Sequence, residues 1–420
     1  MLERIHSNQR INFLSLVTMQ GANALIPLFV FPYLLTTLGA ESFSQLVISE
    51  TLSIIILAFV LFGFDIISVK KLTNATSVSE ESDIFFSVLY SRLAIFLLLL
   101  PVSVPVLIIF DWKVLQLYLL WILVPLGHIL QSAYFYLYKQ SNFILAITTL
   151  CSRIAGLILV LYLIKGPGDV FNVPLILGGT YIVGSLLSFI FAISYWQLEI
   201  KLPVFKKIWS DFYEGTSYFI SNVSVLLYRD LNVLILSLVF KDPNAISIYA
   251  LAEKIVKSAQ AVFRPISQFY FPKTVVALRG YTLPSPGSLK VVWMFTYKQL
   301  VLFSLFFIVG MFAIFSFEKE IISLVSLPVF EALVFSMPMM LVIYIAIPNY
   351  MLGMVGLNNL GCERYLAKVI LMTGAFNIFS CFLLAKMIGA LGAAICFVIS
   401  EFLLLVLILK KYKYTVNHVE

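Results

Sequence analysis

Residues 246–272 read ISIYALAEKIVKSAQAVFRPISQFYFP, a run long enough to cross a bilayer as one helix, for which about 20 residues suffice. Within that length lie Glu253, Lys254, Lys257 and Arg264. At roughly 100° per residue, Glu253, Lys257, Gln260, Arg264 and Gln268 fall within one sector of about 80°, opposite Ile255, Ala259, Val262, Ile266 and Phe269. A charge in hydrocarbon costs roughly 2.5–3.5 kcal/mol on insertion scales, so such residues face a water-filled cavity or a bundle interior. Two arrangements satisfy the stripe. It lines a pathway, or Glu253 and Lys257 simply pair along the helix at i,i+4. Arg264 and the two glutamines extend beyond that pair, which favours the pathway.

The rest of the chain provides a membrane setting for this helix. Of 420 residues, 61% are hydrophobic and 12% charged, against about 25% charged in a globular protein. This is the composition of an integral membrane protein with no sizeable soluble domain. The net charge of +7 therefore reads as basic residues kept on the cytoplasmic side, and no nucleic-acid partner is expected. The first apolar run, 11–35, exceeds a signal-peptide core and is read as an uncleaved span. Cys151, Cys362, Cys381 and Cys396 have no paired spacing and argue for neither disulfides nor a metal.

Apolar runs between short polar breaks give twelve candidate spans. They lie near 11–35, 44–69, 84–110, 114–137, 143–164 and 174–195, then 214–240, 246–271, 292–316, 328–352, 365–386 and 389–409. The break Lys386-Met-Ile-Gly389 is so short that its flanking spans must form a hairpin. With Met1 inside, 16 lysines and arginines, Arg4 among them, fall on the cytoplasmic side, 5 on the other and 7 within spans. That asymmetry predicts cytoplasmic termini. Shifting the chain by 203 residues places Glu50 on Glu253 and Lys70 on Lys273. A parallel repeat of six spans follows, with lobes 1–210 and 211–420 related by a pseudo-two-fold along the membrane normal. The expected fold is an all-α polytopic membrane protein with a substrate path between two six-helix lobes.

Arg92, Arg153, Arg229, Asp230 and Lys298 also lie within spans, with Glu50, Asp65 and Glu401 beside them. Arg229 and Asp230 point about 100° apart, so one faces a cavity while the other braces a neighbouring helix. Arg92 and Lys298 sit toward cytoplasmic ends and are read as snorkelling. Deep basic residues outnumber acidic ones, which suits an anionic substrate, and arginine suits phosphate through its two-pronged donor geometry. The run Tyr134-Phe-Tyr-Leu-Tyr138 reads as an interfacial aromatic belt. His128 reads as a hydrogen-bonded interior residue, and the other two histidines, His6 and His418, are scattered. No nucleotide loop, catalytic serine motif or metal-ligand cluster appears, so no enzymatic activity is expected. Transport would draw on an ion gradient, mass action or a partner.

The stretch Tyr249-Ala-Leu-Ala-Glu-Lys-Ile-Val-Lys257, with Phe263-Arg-Pro-Ile-Ser-Gln268 and Phe271-Pro272, resembles the eighth span of the polysaccharide-transporter family, the O-antigen (Wzx-type) flippases of the MOP exporter superfamily. Gly63-Phe-Asp65 and Gly389-Ala-Leu-Gly-Ala-Ala394 with Ser400-Glu401 support the likeness. The family's turn closing the fourth span is replaced here by Tyr134-Phe-Tyr-Leu-Tyr-Lys139, and no role is carried to that loop. The resemblance implies transfer of undecaprenyl-diphosphate-linked oligosaccharide units across a bacterial inner membrane, by alternating access around a cationic cavity. Membrane lipids, a polysaccharide polymerase and a chain-length regulator are the implied partners, with H⁺ or Na⁺ as candidate coupling ions and no cofactor. A monomer is expected, each half supplying one wall. Lys257, Arg264, Arg229 and Arg153, with Gln260 and Gln268, are the substrate-binding candidates. Glu253, Asp230, Glu50 and Asp65 are the counter-charges or coupling sites. A MATE-like cation-coupled antiporter is the alternative, and it would show an acidic cavity instead.

Overall fold

The computed structural model describes residues 9–106, 109–202 and 205–414, and all regular structure among them is helical. Arg4, counted on the cytoplasmic side, and His6 and His418 lie outside the described residues. The chain divides into two compact units, Met1–Val223 and Ser224–Glu420.

The first unit opens with α1, Gln9–Leu61, two helices joined at Gly39, whose φ is 74° and ψ 166°. Then come α2 (Phe64–Leu72) and α3 (Val78–Val106). The short helices α4 (Trp112–Trp121), α5 (Leu123–Leu130) and α6 (Ala133–Tyr138) together make one span. α7 (Asn142–Leu163) and α8 (Asn172–Tyr195) complete the set. α1 packs on α7, while α7 and α5 both pack on α8. In lipid that packing is driven by van der Waals fit and small residues more than by a hydrophobic effect. At Gly127 a Cβ would stand 2.6 Å from the ring of Tyr181, so glycine is what lets α5 reach α8.

The tyrosine run is core and not an interfacial belt. Ser132 takes a left-handed turn (φ 35°), which aims α6 inward. Tyr134, Phe135 and Tyr136 are buried against Phe64, Phe85 and Leu145. The tyrosine hydroxyls still find acceptors: Tyr134 donates to Phe85 O at 3.3 Å, Tyr136 to Ser188 O at 2.5 Å, and Tyr138 to Glu81 Oε1 at 2.8 Å.

α9 (Phe205–Arg229) begins within the first unit. The lobe boundary expected at 210/211 therefore contrasts with a division after Val223. The cause is local. Lys71 Nζ donates to Asp211 Oδ1 and Ser87 Oγ to Asp211 Oδ2, both at 2.6 Å. Phe62 stacks on Phe219 at 4.3 Å between centroids, and Phe212 meets Phe64 edge-on at 5.5 Å. These contacts hold the start of α9 on α2 and α3.

The second unit continues with α10 (Asn232–Val239) and α11 (Pro243–Ala277), the latter containing the stretch quoted first. Pro243 suits the first helical turn, and Asp242 Oδ1 caps α11 by accepting from the Asn244 amide at 3.0 Å. α12 (Pro286–Ser316) starts in a Ser285–Ser288 capping box. At ~1.5 Å per residue its 31 residues exceed a ~30 Å hydrocarbon core. Its Val309 and Phe312 are 67% and 71% exposed, a surface that lipid covers. α13 (Glu318–Val325), α14 (Leu327–Met339) and α15 (Leu341–Pro348) lead into a π-helical turn, Asn349–Leu357. α16 (Glu363–Tyr414) is again two helices, joined at Ile388–Gly389.

Among the described residues eight helices are long and apolar enough to cross a membrane, nine with the bent pair α9–α10. Two of the eight each contain two helices, at Gly39 and at Gly389. α11 stands outside that count because of its polar residues, and it brings the described residues to twelve spans, the number expected. The hairpin predicted at 386–389 is present as the α16 joint.

Candidate functional site

The polar stripe of α11 is not uniform. Glu253 is buried, Lys257 and Gln260 are half-buried, and Arg264 and Gln268 are exposed. Lys257 Nζ lies 2.7 Å from Asp230 Oδ1, just beyond the end of α9, and 2.5 Å from Glu253 Oε1 one turn back. The second contact is a charge contact without hydrogen-bond alignment, because Glu253 Oε1 has no hydrogen-bond partner. One ammonium thus stands between two carboxylates, and the triad as a whole is negative. The i,i+4 pair and the wider stripe both exist, on different parts of one helix.

Arg229 and Asp230 both brace neighbouring helices, where one of them was expected to face a cavity. Arg229 Nε donates to Glu401 Oε1 of α16 at 2.9 Å. Glu401 is 1% exposed, and Asn349 Nδ2 donates to its Oε2 at 2.7 Å and its carbonyl at 2.9 Å. The π-helical turn that follows Pro348 begins at this asparagine. A buried carboxylate needs this many donors, since an isolated charge in a dry interior costs several kcal/mol.

In the first unit Arg92 does not snorkel. It is 1% exposed, its Nη2 donates to Asp65 Oδ1 at 2.7 Å, and its guanidinium stands 5.6 Å from the Tyr134 ring centroid. The pair leaves little free charge on Asp65 or Arg92. Glu50 is half-buried in α1. Arg153 differs: its Nε donates to Asn23 Oδ1 at 3.0 Å and its guanidinium lies 4.5 Å from the Tyr181 ring centroid. It has no carboxylate partner among the described residues. The Tyr181 hydroxyl donates to Gln131 Oε1 at 2.7 Å and sits 2.9 Å from His128 Nδ1, so His128 is the hydrogen-bonded interior residue expected.

Four candidate cations therefore fall into two kinds. Lys257 and Arg229 are neutralised by carboxylates, while Arg153 and Arg264 carry no ion pair among the described residues. Among the described residues no group of three acidic, histidine or cysteine side chains could hold a metal ion. Asn23, Tyr181 and Asn349 escaped the sequence reading. Their signal was polarity inside an apolar span, which single asparagines and tyrosines give too weakly.

Among the described residues, twelve helical spans with buried ion pairs in each unit make a polytopic α-helical membrane fold. Solved structures agree over nearly the full length. A multidrug resistance MATE-family transporter of the MOP superfamily, in its inward-facing conformation, matches with a TM-score of 0.68 at 11% identity, covering 95% of this chain and 96% of that one. A eukaryotic MATE transporter matches with a TM-score of 0.58 at 14% identity, covering 97% and 95%. These likenesses concern the fold. Residues 10–275 match the polysaccharide biosynthesis protein family, and the chain belongs to it. A putative O-antigen transporter of Shigella dysenteriae is 22% identical over 404 residues, 96% of this chain and 99% of that protein. Another, from Escherichia coli strain K12, is 22% identical over 268 residues, where the match spans 63% of this chain and 64% of the relative.

Proposed function

We propose that the chain is a flippase that moves polyprenyl-diphosphate-linked oligosaccharide units from the cytoplasmic to the periplasmic leaflet of a bacterial inner membrane, and that it is not an enzyme. The family match over residues 10–275 supports a role in polysaccharide biosynthesis, and the putative O-antigen transporter relatives support export as its form. The observation that carries the substrate class is the two arginines, Arg153 and Arg264, which have no carboxylate partner among the described residues. A diphosphate bearing sugars cannot enter hydrocarbon without replacement partners for its lost hydration. A guanidinium offers two parallel donors to an oxyanion, which makes arginine the better match to a diphosphate than lysine.

In this reading Arg264 and Arg153 contact the anionic head group, Gln260 and Gln268 serve its sugars, and Lys257 and Arg229 act mainly through their own ion pairs. Glu253, Asp230 and Glu50 are counter-charges or sites of H⁺ or Na⁺ coupling. Both termini lie in the cytoplasm, and the cycle is one of alternating access. The test is complementation of a flippase-deficient bacterium. Wild type restores surface glycan, Arg264→Ala and Arg153→Ala each lose most of it at equal membrane abundance, and no restoration by wild type rejects the assignment.

A further inference from the structure

The seventh span is broken where neither proline nor glycine stands. The sequence across the break is Tyr228-Arg229-Asp230-Leu231-Asn232, and the flanking helices meet at 48°. Kinks of this size arise at proline, at glycine or serine pairs, at π-bulges, or where a side chain enters the backbone ladder. Here the last cause has an identifiable agent. Asn377, fully buried on α16, donates from Nδ2 to Leu227 O at 3.2 Å and to Asn232 Oδ1 at 2.8 Å. Leu227 O is the carbonyl that the Leu231 N–H takes in an unbroken helix. The amide is fixed in this orientation, because its Oδ1 accepts from Ser400 Oγ at 2.9 Å and from Cys396 Sγ at 3.3 Å. Three residues earlier, Gly374 lets the backbones close. A Cβ there would stand 2.9 Å from Leu227 Cβ and 3.0 Å from Ser224 O.

Two ionic clasps flank the break, and they differ in what release would leave behind. Withdrawing Arg229 strands Glu401, which is 1% exposed. Withdrawing Asp230 leaves Lys257 still beside Glu253, and the Asp230 side chain is already 28% exposed. Only the second clasp can open without stranding a buried charge.

We infer that Asn377 is the wedge that breaks the seventh span, and that Asp230–Lys257 is a releasable latch over the hinge formed at residues 230–231. The latch governs the motion of one span, whatever solute is carried.

Hydrogen exchange read by mass spectrometry on the full chain in lipid nanodiscs tests it. Asp230→Asn should speed exchange at 229–235 by about tenfold and leave 250–260 unchanged, since Lys257 keeps Glu253. Lys257→Gln, which strands both carboxylates, should speed both segments. Asn377→Leu should let the ladder close and slow exchange at Leu231 by about fivefold. Asp230→Glu keeps the carboxylate and should stay within about twofold of wild type. Unaltered exchange at 229–235 in Asp230→Asn, or equal acceleration of 250–260 in Asp230→Asn and Lys257→Gln, overturns the latch. Unchanged or faster exchange at Leu231 in Asn377→Leu overturns the wedge. General loosening of the fold would move Asp230→Asn and Asn377→Leu in the same direction, and that result also contradicts the inference.

Discussion

Arg229 and Glu401 join their side chains at 2.9 Å across 172 positions of sequence. Glu401 is buried, and its second oxygen is already taken by Asn349. Removing the arginine therefore leaves a buried carboxylate with one donor too few. Arg229→Ala should lower the stability of the folded protein by about 3 kcal/mol, read as a fall in the midpoint of thermal aggregation in detergent. Replacing both residues, Arg229→Met with Glu401→Leu, should recover most of that loss. A single variant as stable as wild type would mean the pair is not structural.

Lys71 ties α2 to the start of α9 through Asp211, and Ser87 holds the second carboxylate oxygen. Asp211→Ala removes both bonds at a site only 5% exposed. It should cost about 2–3 kcal/mol and expose residues 205–215 to limited proteolysis. Unchanged cleavage would mean that the Lys71–Glu214 and Lys70–Tyr218 contacts, with the rings of Phe62 and Phe212, hold α9 without Asp211.

Asp65 shields Arg92 within the first unit. Asp65→Asn leaves a guanidinium in a span with only the Tyr134 ring and a neutral amide. Membrane abundance should drop several-fold on immunoblots, and Arg92→Met should restore it in the double variant. Failure of that rescue would assign Asp65 a role beyond pairing.

The basic residues predict the orientation of the chain. Reporters fused after residues 168 and 280 should read periplasmic and cytoplasmic respectively. The reverse pattern would place both termini outside.

The fold was legible because composition and apolar runs act over whole spans, so twelve helices survive local errors. The hairpin at Gly389 was legible because the four-residue break Lys386-Met-Ile-Gly389 leaves the chain no other course. Partners were not. Periodicity puts Lys257 on the same face as Arg264, but only the fold brings Asp230 within 2.7 Å of one and leaves the other without an ion pair among the described residues. Arg92 looked like a snorkelling residue because its partner Asp65 lies 27 positions away on another helix. The Tyr134–Tyr138 run misled for a different reason. Ser132 turns α6 inward, and a single left-handed residue gives no compositional signal. Asn377 was passed over because one amide in an apolar span is ordinary until a broken neighbour is seen beside it.

Under the proposed function the chain carries a glycan linked to a lipid diphosphate past Arg153 and Arg264. Proteoliposomes holding purified protein and a fluorescent polyprenyl-diphosphate oligosaccharide report transbilayer movement directly, as loss of fluorescence to a membrane-impermeant quencher. Wild type should move the lipid at least about tenfold faster than protein-free vesicles, a change of ~1.4 kcal/mol or more in barrier height, with Arg264→Ala and Arg153→Ala near the protein-free rate. Wild-type vesicles no faster than empty ones, or both variants as fast as wild type, would contradict it.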